Sequence, residues 1–160
     1  MIVEAVAAER DLAVGPVEGI AGGASGGDIL FHEACRNVGI RTTVMLAQPR
    51  EGFAAASVNG AGAAWTERYW ALCDSNEVKV LTESTDLPGW LRVRDDYSIW
   101  QRNTRWILHT ALSQADTDVT LIVLWDGEDG DGPGGTAEMV ARARKRGVKV
   151  VRLDATRLVR

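Results

Sequence analysis

Apolar, β-branched stretches alternate with helix-like stretches along nearly the whole chain. The pattern predicts elements in the order α–β–α–β–α–β–α–β–α–β. Strands separated by helices pair in parallel, because each helix carries the chain back to the same edge of the sheet. We therefore expect an α/β protein with three layers, in which a mostly parallel sheet of about five strands is covered by helices on both faces.

The alternation also sets the expected element bounds. The predicted strands are 17–20, 41–47, 77–81, 119–125 and 148–153, and the predicted helices are 2–12, 28–38, 51–58, 65–73, 98–113 and 136–146. A length of 160 residues predicts a single domain over 1–160. Because the chain opens with a helix, we expect either a domain that lacks its first strand or a fragment of a longer protein.

Charge and cysteine usage exclude several classes of protein. The formal net charge of −4 provides no global basic field, so nucleic acid is not an expected partner. Cys35 and Cys73 lie in helix-like runs and outside any CxxC pair, which predicts buried free thiols and no cysteine zinc site. The chain contains neither a membrane-length apolar run nor a basic leader, so we expect a cytoplasmic protein without a membrane partner.

The first motif is a glycine-rich segment, residues 21–28, between a predicted strand and a predicted helix. We call it glycine loop 1. Glycines let the backbone approach a ligand closely, and a helix N-terminus attracts anions, so the loop predicts a phosphate site. Asp28 is expected to cap the helix, and Ser25 adds a hydroxyl donor. The alternative is a tight turn with a capping Asp and no ligand. The predicted phosphate-binding residues of this loop are Gly22, Gly23, Ser25, Gly26, Gly27 and Asp28.

A second segment of the same kind, residues 132–138, follows the most apolar predicted strand. We call it glycine loop 2. Thr136 is expected to cap the next helix and to donate to a phosphate, and Glu138 is a candidate catalytic base. The alternative for Glu138 is a structural carboxylate in the first turn of the helix. The predicted ligand-binding residues here are Pro133, Gly134, Gly135 and Thr136, and we expect both loops to share one pocket.

Three further side chains are candidate ligand contacts. His32 lies four residues after Asp28 on the same helix face, so the two side chains could act as a pair in acid–base catalysis. The alternative is that His32, a lone helical histidine, has a structural role. Arg102 and Arg105 lie at the start of a tryptophan-rich helix and could clamp a phosphate. The alternative for these arginines is the solvated face of an amphipathic helix.

The glycine loops, in this order on alternating strands and helices, resemble the SLOG superfamily of Rossmann-like domains. This group includes the Lonely-guy phosphoribohydrolases and the DNA-processing protein A family, and the chain is also similar to C-terminal domains of bacterial tetratricopeptide-repeat proteins. The resemblance extends over about residues 16–153 and implies a nucleotide or nucleotide-derived ligand held between the loops. No further cofactor or metal is implied. The partners that it implies are this small molecule and either further copies of the chain or tethered repeat domains.

The second loop departs from the hydrolase pattern. Phosphoribohydrolases of this group carry Pro-Gly-Gly-x-Gly-Thr-x-x-Glu, whereas here Glu138 follows Thr136 by only two residues and Met139 stands at the strict catalytic position. We therefore expect a sensor-type domain that binds a nucleotide without turning it over. One alternative is an N-glycosidic hydrolase of nucleoside monophosphates that uses Glu138 with Arg102 or Arg105. Another is a protein interaction module of a multidomain protein.

Overall fold

The computed structural model describes residues 1–94, 96–114, 118–128, 132 and 134–158. Its contacts group into two units. The N-terminal unit is Ile2–Asp86, and the C-terminal unit is Leu87–Arg160 together with Met1. A single domain over residues 1–160 stays a prediction.

The N-terminal unit contains four helices and a three-stranded parallel sheet in the order β1-β2-β3. Its elements are α1 (Ile2–Leu12), β1 (Glu18–Ala21), α2 (Gly27–Asn37), β2 (Arg41–Leu46), α3 (Arg50–Ser57), α4 (Ala63–Ser75) and β3 (Glu77–Val80), with a short 3-10 helix at Asn59–Ala61. In register, Glu18 pairs with Arg41 and Thr43 pairs with Glu77. The central strand β2 therefore has a parallel neighbour on each side.

The core of this unit lies on β2, as expected for a central strand. Val44, Met45 and Leu46 are fully buried, and so are Ile29 of α2 and Tyr69 of α4. Consecutive buried residues on one strand mean that both faces of the sheet are covered at this point. The rings of Tyr69 and Phe53 stack with centroids 6.0 Å apart, which ties α4 to α3.

The C-terminal unit contains two helices and a two-stranded parallel sheet among its described residues. Its elements are α5 (Ile99–Ser113), β4 (Thr120–Trp125), α6 (Thr136–Lys145) and β5 (Lys149–Asp154), followed by a 3-10 helix at Ala155–Leu158. Leu108, Ala143 and Val148 form its buried cluster, and Leu121 of β4 packs against them.

The structure confirms the α/β class with parallel strands, and every predicted helix and strand is present within a few residues of its expected bounds. A strand as apolar as β4 is expected to be buried on both faces, and this expectation is wrong: only Val123 is buried, and the other residues of the strand are half-buried. In its described sheet, β4 pairs with β5 alone, so the apolar run has one neighbouring strand instead of two.

The two cysteines are free and buried, as predicted. Across the described helices, none has the length and apolar character needed to cross a membrane. The described His, Cys, Asp and Glu side chains form no group of three or more that could hold a metal ion.

Candidate functional site

Glycine loop 1 connects the carboxyl end of β1 to the start of α2. Gly26 is the N-cap residue, with φ 96° and ψ −123°, and no side chain caps the helix there. The first intrahelical bond runs from the N–H of Leu30 to the carbonyl of Gly26 at 3.0 Å. The N–H groups of the first turn therefore have no intrahelical partner, and they lie at the positive end of the helix dipole.

Asp28 turns its carboxylate back toward the loop. Its Oδ2 accepts a hydrogen bond from the backbone N–H of Ala24 at 3.1 Å. The predicted N-cap role of Asp28 is wrong, because α2 begins at Gly27 and Asp28 is already inside the helix. Burial raises the pKa of Asp28, and the hydrogen bond from Ala24 offsets only part of this effect.

The glycines of loop 1 serve different purposes. A Cβ at Gly22 would lie 2.5 Å from Oδ2 of Asp28, and one at Gly23 would lie 3.1 Å from side-chain carbons of Leu46 and Tyr69. These two glycines therefore permit internal packing. A Cβ at Gly26 would meet no atom within 4 Å, so the space beside Gly26 is open.

Ser25 connects loop 1 to the end of α3 through two hydrogen bonds. Its backbone N–H and its hydroxyl both donate to the carbonyl of Ser57, at 3.1 and 3.2 Å. The hydroxyl that was predicted to bind phosphate is therefore engaged within the protein. The uncapped start of α2, beyond Gly26, is the part of the loop that remains open to an anion.

His32 lies beneath the same loop and is only 2% exposed. Its Nε2 lies 2.9 Å from the carbonyl oxygen of Gly22, and its Nδ1 lies 2.7 Å from Oγ1 of Thr42. Both ring nitrogens thus have partners within the protein. This geometry favours the structural role for His32 over the acid–base pair with Asp28.

Glycine loop 2 leads into α6, whose first residue is Thr136. The expected capping role of Thr136 is wrong: the N-cap residue is Gly135, and no side chain caps this helix. Gly134 has φ 93°, and a Cβ there would lie 2.6 Å from the backbone N of Gln101. Loop 2 therefore packs directly on the start of α5. Pro133 lies outside the described residues.

The carboxylate of Glu138 is enclosed by donors. Oε2 accepts from the N–H of Gly134 at 2.9 Å and from Nε2 of Gln101 at 3.1 Å. Oε1 accepts from Nε of Arg142 at 2.7 Å and lies 3.7 Å from Nη2 of Arg105. Burial pushes the pKa of Glu138 upward, but the hydrogen bonds that it receives outweigh burial and hold the pKa below its ordinary value. A carboxylate in this state is a poor general base.

The structure brings one of the two predicted arginines to loop 2. Arg105 lies beside Glu138, and its guanidinium carbon lies 4.7 Å from the ring centroid of Tyr97. Considering only the described part of the chain, Nε of Arg105 is buried without a hydrogen-bond partner. Arg102 is half-buried on the same helix, and no described contact joins it to loop 2.

Sequence reasoning missed two residues that organise loop 2. Gln101 forms a capping box with Ser98 and also donates to Glu138, and the Ser-x-x-Gln spacing could have signalled this cap. Thr104 donates to the carbonyl of Gly134 at 2.6 Å, a contact over 30 residues that leaves no local signal. Loop 1 and loop 2 belong to different units, and a pocket shared between them stays a prediction.

No protein-family model and no curated protein matches this sequence. Among solved structures, the chain is similar to the crystal structure of a pyridoxal 5'-phosphate-dependent aspartate racemase, at 13% sequence identity and a TM-score of 0.32. The match covers 95% of this chain and 45% of the racemase chain, so this chain spans less than half the length of that protein. A similarity of this size establishes neither a shared fold nor a shared activity.

Proposed function

We propose that this protein binds a phosphate-bearing, nucleotide-like ligand at glycine loop 1 without turning it over. One observation carries the proposal: α2 begins without a side-chain cap, behind a Gly26 that has φ 96° and open space around it. Backbone N–H groups at the start of a helix bind phosphate well, because they donate hydrogen bonds and the helix dipole favours negative charge. Glycine at the N-cap position leaves room for the phosphate to approach.

Glycine loop 2 is less suited to bind a phosphate than glycine loop 1. The N–H of Gly134 is occupied by the carboxylate of Glu138, which also holds two arginines and Gln101. A phosphate at this loop would have to displace or repel a carboxylate that is already well paired. In loop 1, Asp28 likewise accepts from the N–H of Ala24, but the space beside Gly26 at the start of α2 is open, so we place the ligand's phosphate there.

Binding without hydrolysis follows from the state of Glu138. An N-glycosidic hydrolase of the kind considered above needs this carboxylate to act on the substrate. Glu138 is instead only 18% exposed, ionised and saturated with donors. The geometry supports a structural role for Glu138 and a binding role for the protein.

Calorimetry with adenosine and guanosine mono-, di- and triphosphates tests the proposal. The informative pair of variants is Gly27→Asp and Gly27→Asn, at the first residue of α2. An Asp there suits the helix dipole and stabilises the helix by about 0.3 to 1 kcal/mol, but its charge repels a phosphate. We expect Gly27→Asp to abolish binding while Gly27→Asn retains it.

Nuclear magnetic resonance locates the site independently. With the best ligand of the panel, we expect backbone amide shifts to change at residues 26–29 and to stay constant at residues 134–138. The proposal fails if the folded wild-type protein binds no member of the panel. It also fails if binding persists unchanged in Gly27→Asp.

A further inference from the structure

A series of hydrogen bonds, buried at His32 and half-buried at Asn76, runs from glycine loop 1 through His32 to Asn76. Nε2 of His32 lies 2.9 Å from the Gly22 carbonyl oxygen, and Nδ1 lies 2.7 Å from the Thr42 hydroxyl oxygen. That hydroxyl lies 2.9 Å from Oδ1 of Asn76, the residue between α4 and β3. These hydrogen bonds therefore connect glycine loop 1, the central strand β2 and the residue that precedes β3, all within the N-terminal unit.

The protons along this series of hydrogen bonds can be counted. A carbonyl only accepts, so the bond to Gly22 requires a proton on Nε2 of His32. The Asn76 amide nitrogen donates to the Leu72 carbonyl at 2.9 Å, so the amide oxygen is the atom that faces Thr42. Three bonds then need three protons, whereas a neutral imidazole and one hydroxyl supply only two.

With a proton on Nε2 of His32, two arrangements are possible. With a neutral ring, the Thr42 hydroxyl donates to Nδ1 of His32, and Oδ1 of Asn76 loses its donor. With a doubly protonated ring, Nδ1 donates to Thr42 and the hydroxyl turns to donate to Asn76. In passing from the first arrangement to the second, Nδ1 gains a proton from solvent and the hydroxyl hydrogen of Thr42 turns from Nδ1 to Asn76.

We infer that His32 is a positioning residue for glycine loop 1 and that the Thr42 hydroxyl is a rotor that passes the protonation state of His32 to Asn76. The inference extends the proposed function, because the loop that His32 holds is the proposed phosphate site. The bond from Nε2 to Gly22 persists in both arrangements, so the loop stays fixed. Asn76 is where the two states differ.

The surroundings of the ring favour the neutral arrangement at neutral pH. His32 and Asn76 line a cavity of about 120 Å³ together with Glu33, Arg36 and Arg68. Burial lowers the pKa of His32, although its hydrogen bonds to backbone carbonyls oppose this effect.

Several charged groups on α2 and on the neighbouring strands are engaged with partners within the protein. The carboxylate of Glu33 accepts hydrogen bonds from Nε and Nη2 of Arg68. The carboxylate of Asp28 accepts a hydrogen bond from the backbone N–H of Ala24 at 3.1 Å. On the strand side, Glu18 and Arg41 pair with each other at 3.5 Å. The protonation state of His32 is therefore set by burial, the carbonyls of loop 1 and the Thr42 hydroxyl.

Long-range ¹H–¹⁵N spectra of the full chain test the inference without any ligand. At neutral pH we expect His32 as the neutral tautomer protonated at Nε2, whereas the exposed His109 provides the internal reference. On acidification, the side-chain amide of Asn76 should shift with the same midpoint as His32 in the wild type. In Thr42→Val, which lacks the rotor, this shift should disappear while His32 keeps its proton at Nε2. A tautomer protonated at Nδ1, or an Asn76 amide that does not follow His32, overturns the inference.

A matched pair of variants tests the positioning role. Glutamine in His32→Gln places a donor near the former Nε2, whereas asparagine in His32→Asn reaches only the former Nδ1. With inorganic pyrophosphate as probe, we expect His32→Gln to bind within about threefold of wild type and His32→Asn to bind about tenfold more weakly. Equal loss in both variants, with both folded, contradicts the positioning role. If the wild type binds neither pyrophosphate nor any nucleotide of the panel, the proposed function fails, and the ligand-free spectra still decide the inference.

Discussion

The carboxylate of Glu138 accepts a hydrogen bond from the backbone N–H of Gly134, four residues earlier, at 2.9 Å. Asp28 makes the same four-residue contact with Ala24 at 3.1 Å. In both glycine loops, a carboxylate from the first turn of the following helix thus occupies an N–H that a phosphate could use. The surroundings differ, because arginines flank Glu138 whereas burial dominates at Asp28.

Neutralising Glu138 should destabilise the C-terminal unit. In Glu138→Gln, the new amide group faces donors on all sides, and two arginines lose their partner. We expect the free energy of unfolding to fall by about 1 to 3 kcal/mol at neutral pH, which urea denaturation measures. Glu128→Gln, at an exposed position of the same unit, is the control and should have no effect.

The effect of Glu138→Gln should depend on pH with a defined sign. Because the pKa of Glu138 is lowered in the folded state, its stabilisation is present above the ordinary value of 4.5 and is lost as the pH falls through the folded pKa. The difference in stability between wild type and variant should therefore shrink in acid. A difference that stays constant down to low pH would contradict the assignment of the stabilisation to the ionised carboxylate.

Neutralising Asp28 should instead raise the free energy of unfolding at neutral pH. Its folded pKa is raised above 3.8, so between the unfolded and folded pKa values the native state holds more protons, and stability falls as the pH rises. In Asp28→Asn, an amide oxygen still accepts from Ala24 while the charge of the half-buried carboxylate is removed. We expect this variant to be more stable than wild type at neutral pH and to lose its advantage in acid.

Urea denaturation across the pH range measures this advantage, with the exposed Asp74→Asn as control. On the proposed function, Asp28→Asn also removes a charge that repels phosphate. Pyrophosphate should therefore bind more tightly to Asp28→Asn than to wild type. A variant that is less stable at neutral pH would show that the Asp28 carboxylate is better solvated than its burial indicates.

Three glycine-to-alanine variants should separate packing from backbone strain. Gly23→Ala places a methyl group 3.1 Å from Leu46 and Tyr69, and we expect a loss of about 1 to 3 kcal/mol from overpacking. Gly26→Ala meets open space but forces an L residue to φ 96°, at a similar cost of about 1 to 3 kcal/mol. Gly60→Ala has neither problem and should change stability by less than about 0.5 kcal/mol. Thermal unfolding of the three variants measures the contrast, and a neutral Gly23→Ala would show that the loop is looser than its contacts indicate.

Much of the fold could be predicted from the sequence, because its signals are local. Alternating apolar runs, Gly39 after α2 and Pro49 before α3 mark the elements within a few residues. The burial of β4 could not be predicted, because it depends on which strands and helices pack against it. An apolar run has the same sequence whether one neighbour covers it or two.

The candidate site was less predictable for the same reason. The sequence placed Asp28 and Glu138 beside glycine loops, but a shift of one residue in the start of α2 changed Asp28 from a cap into a carboxylate that faces the loop. The partners of His32 are Thr42 and, through it, Asn76, which is 34 residues from Thr42. Contacts across such separations are set by the packing of the sheet and leave no local pattern.

The two thiols should be unreactive in the native protein. Cys35 and Cys73 are 1% and 2% exposed, and burial raises the pKa of Cys35 to about 12 and also raises that of Cys73. Since the thiolate is the reactive form, an aromatic disulfide reagent should modify neither residue at mildly alkaline pH and both in urea. Asp74→Cys, next to Cys73 but exposed, is the positive control and should react at once. Rapid modification of the native wild type would show that α2 or α4 opens frequently enough to expose its inner face.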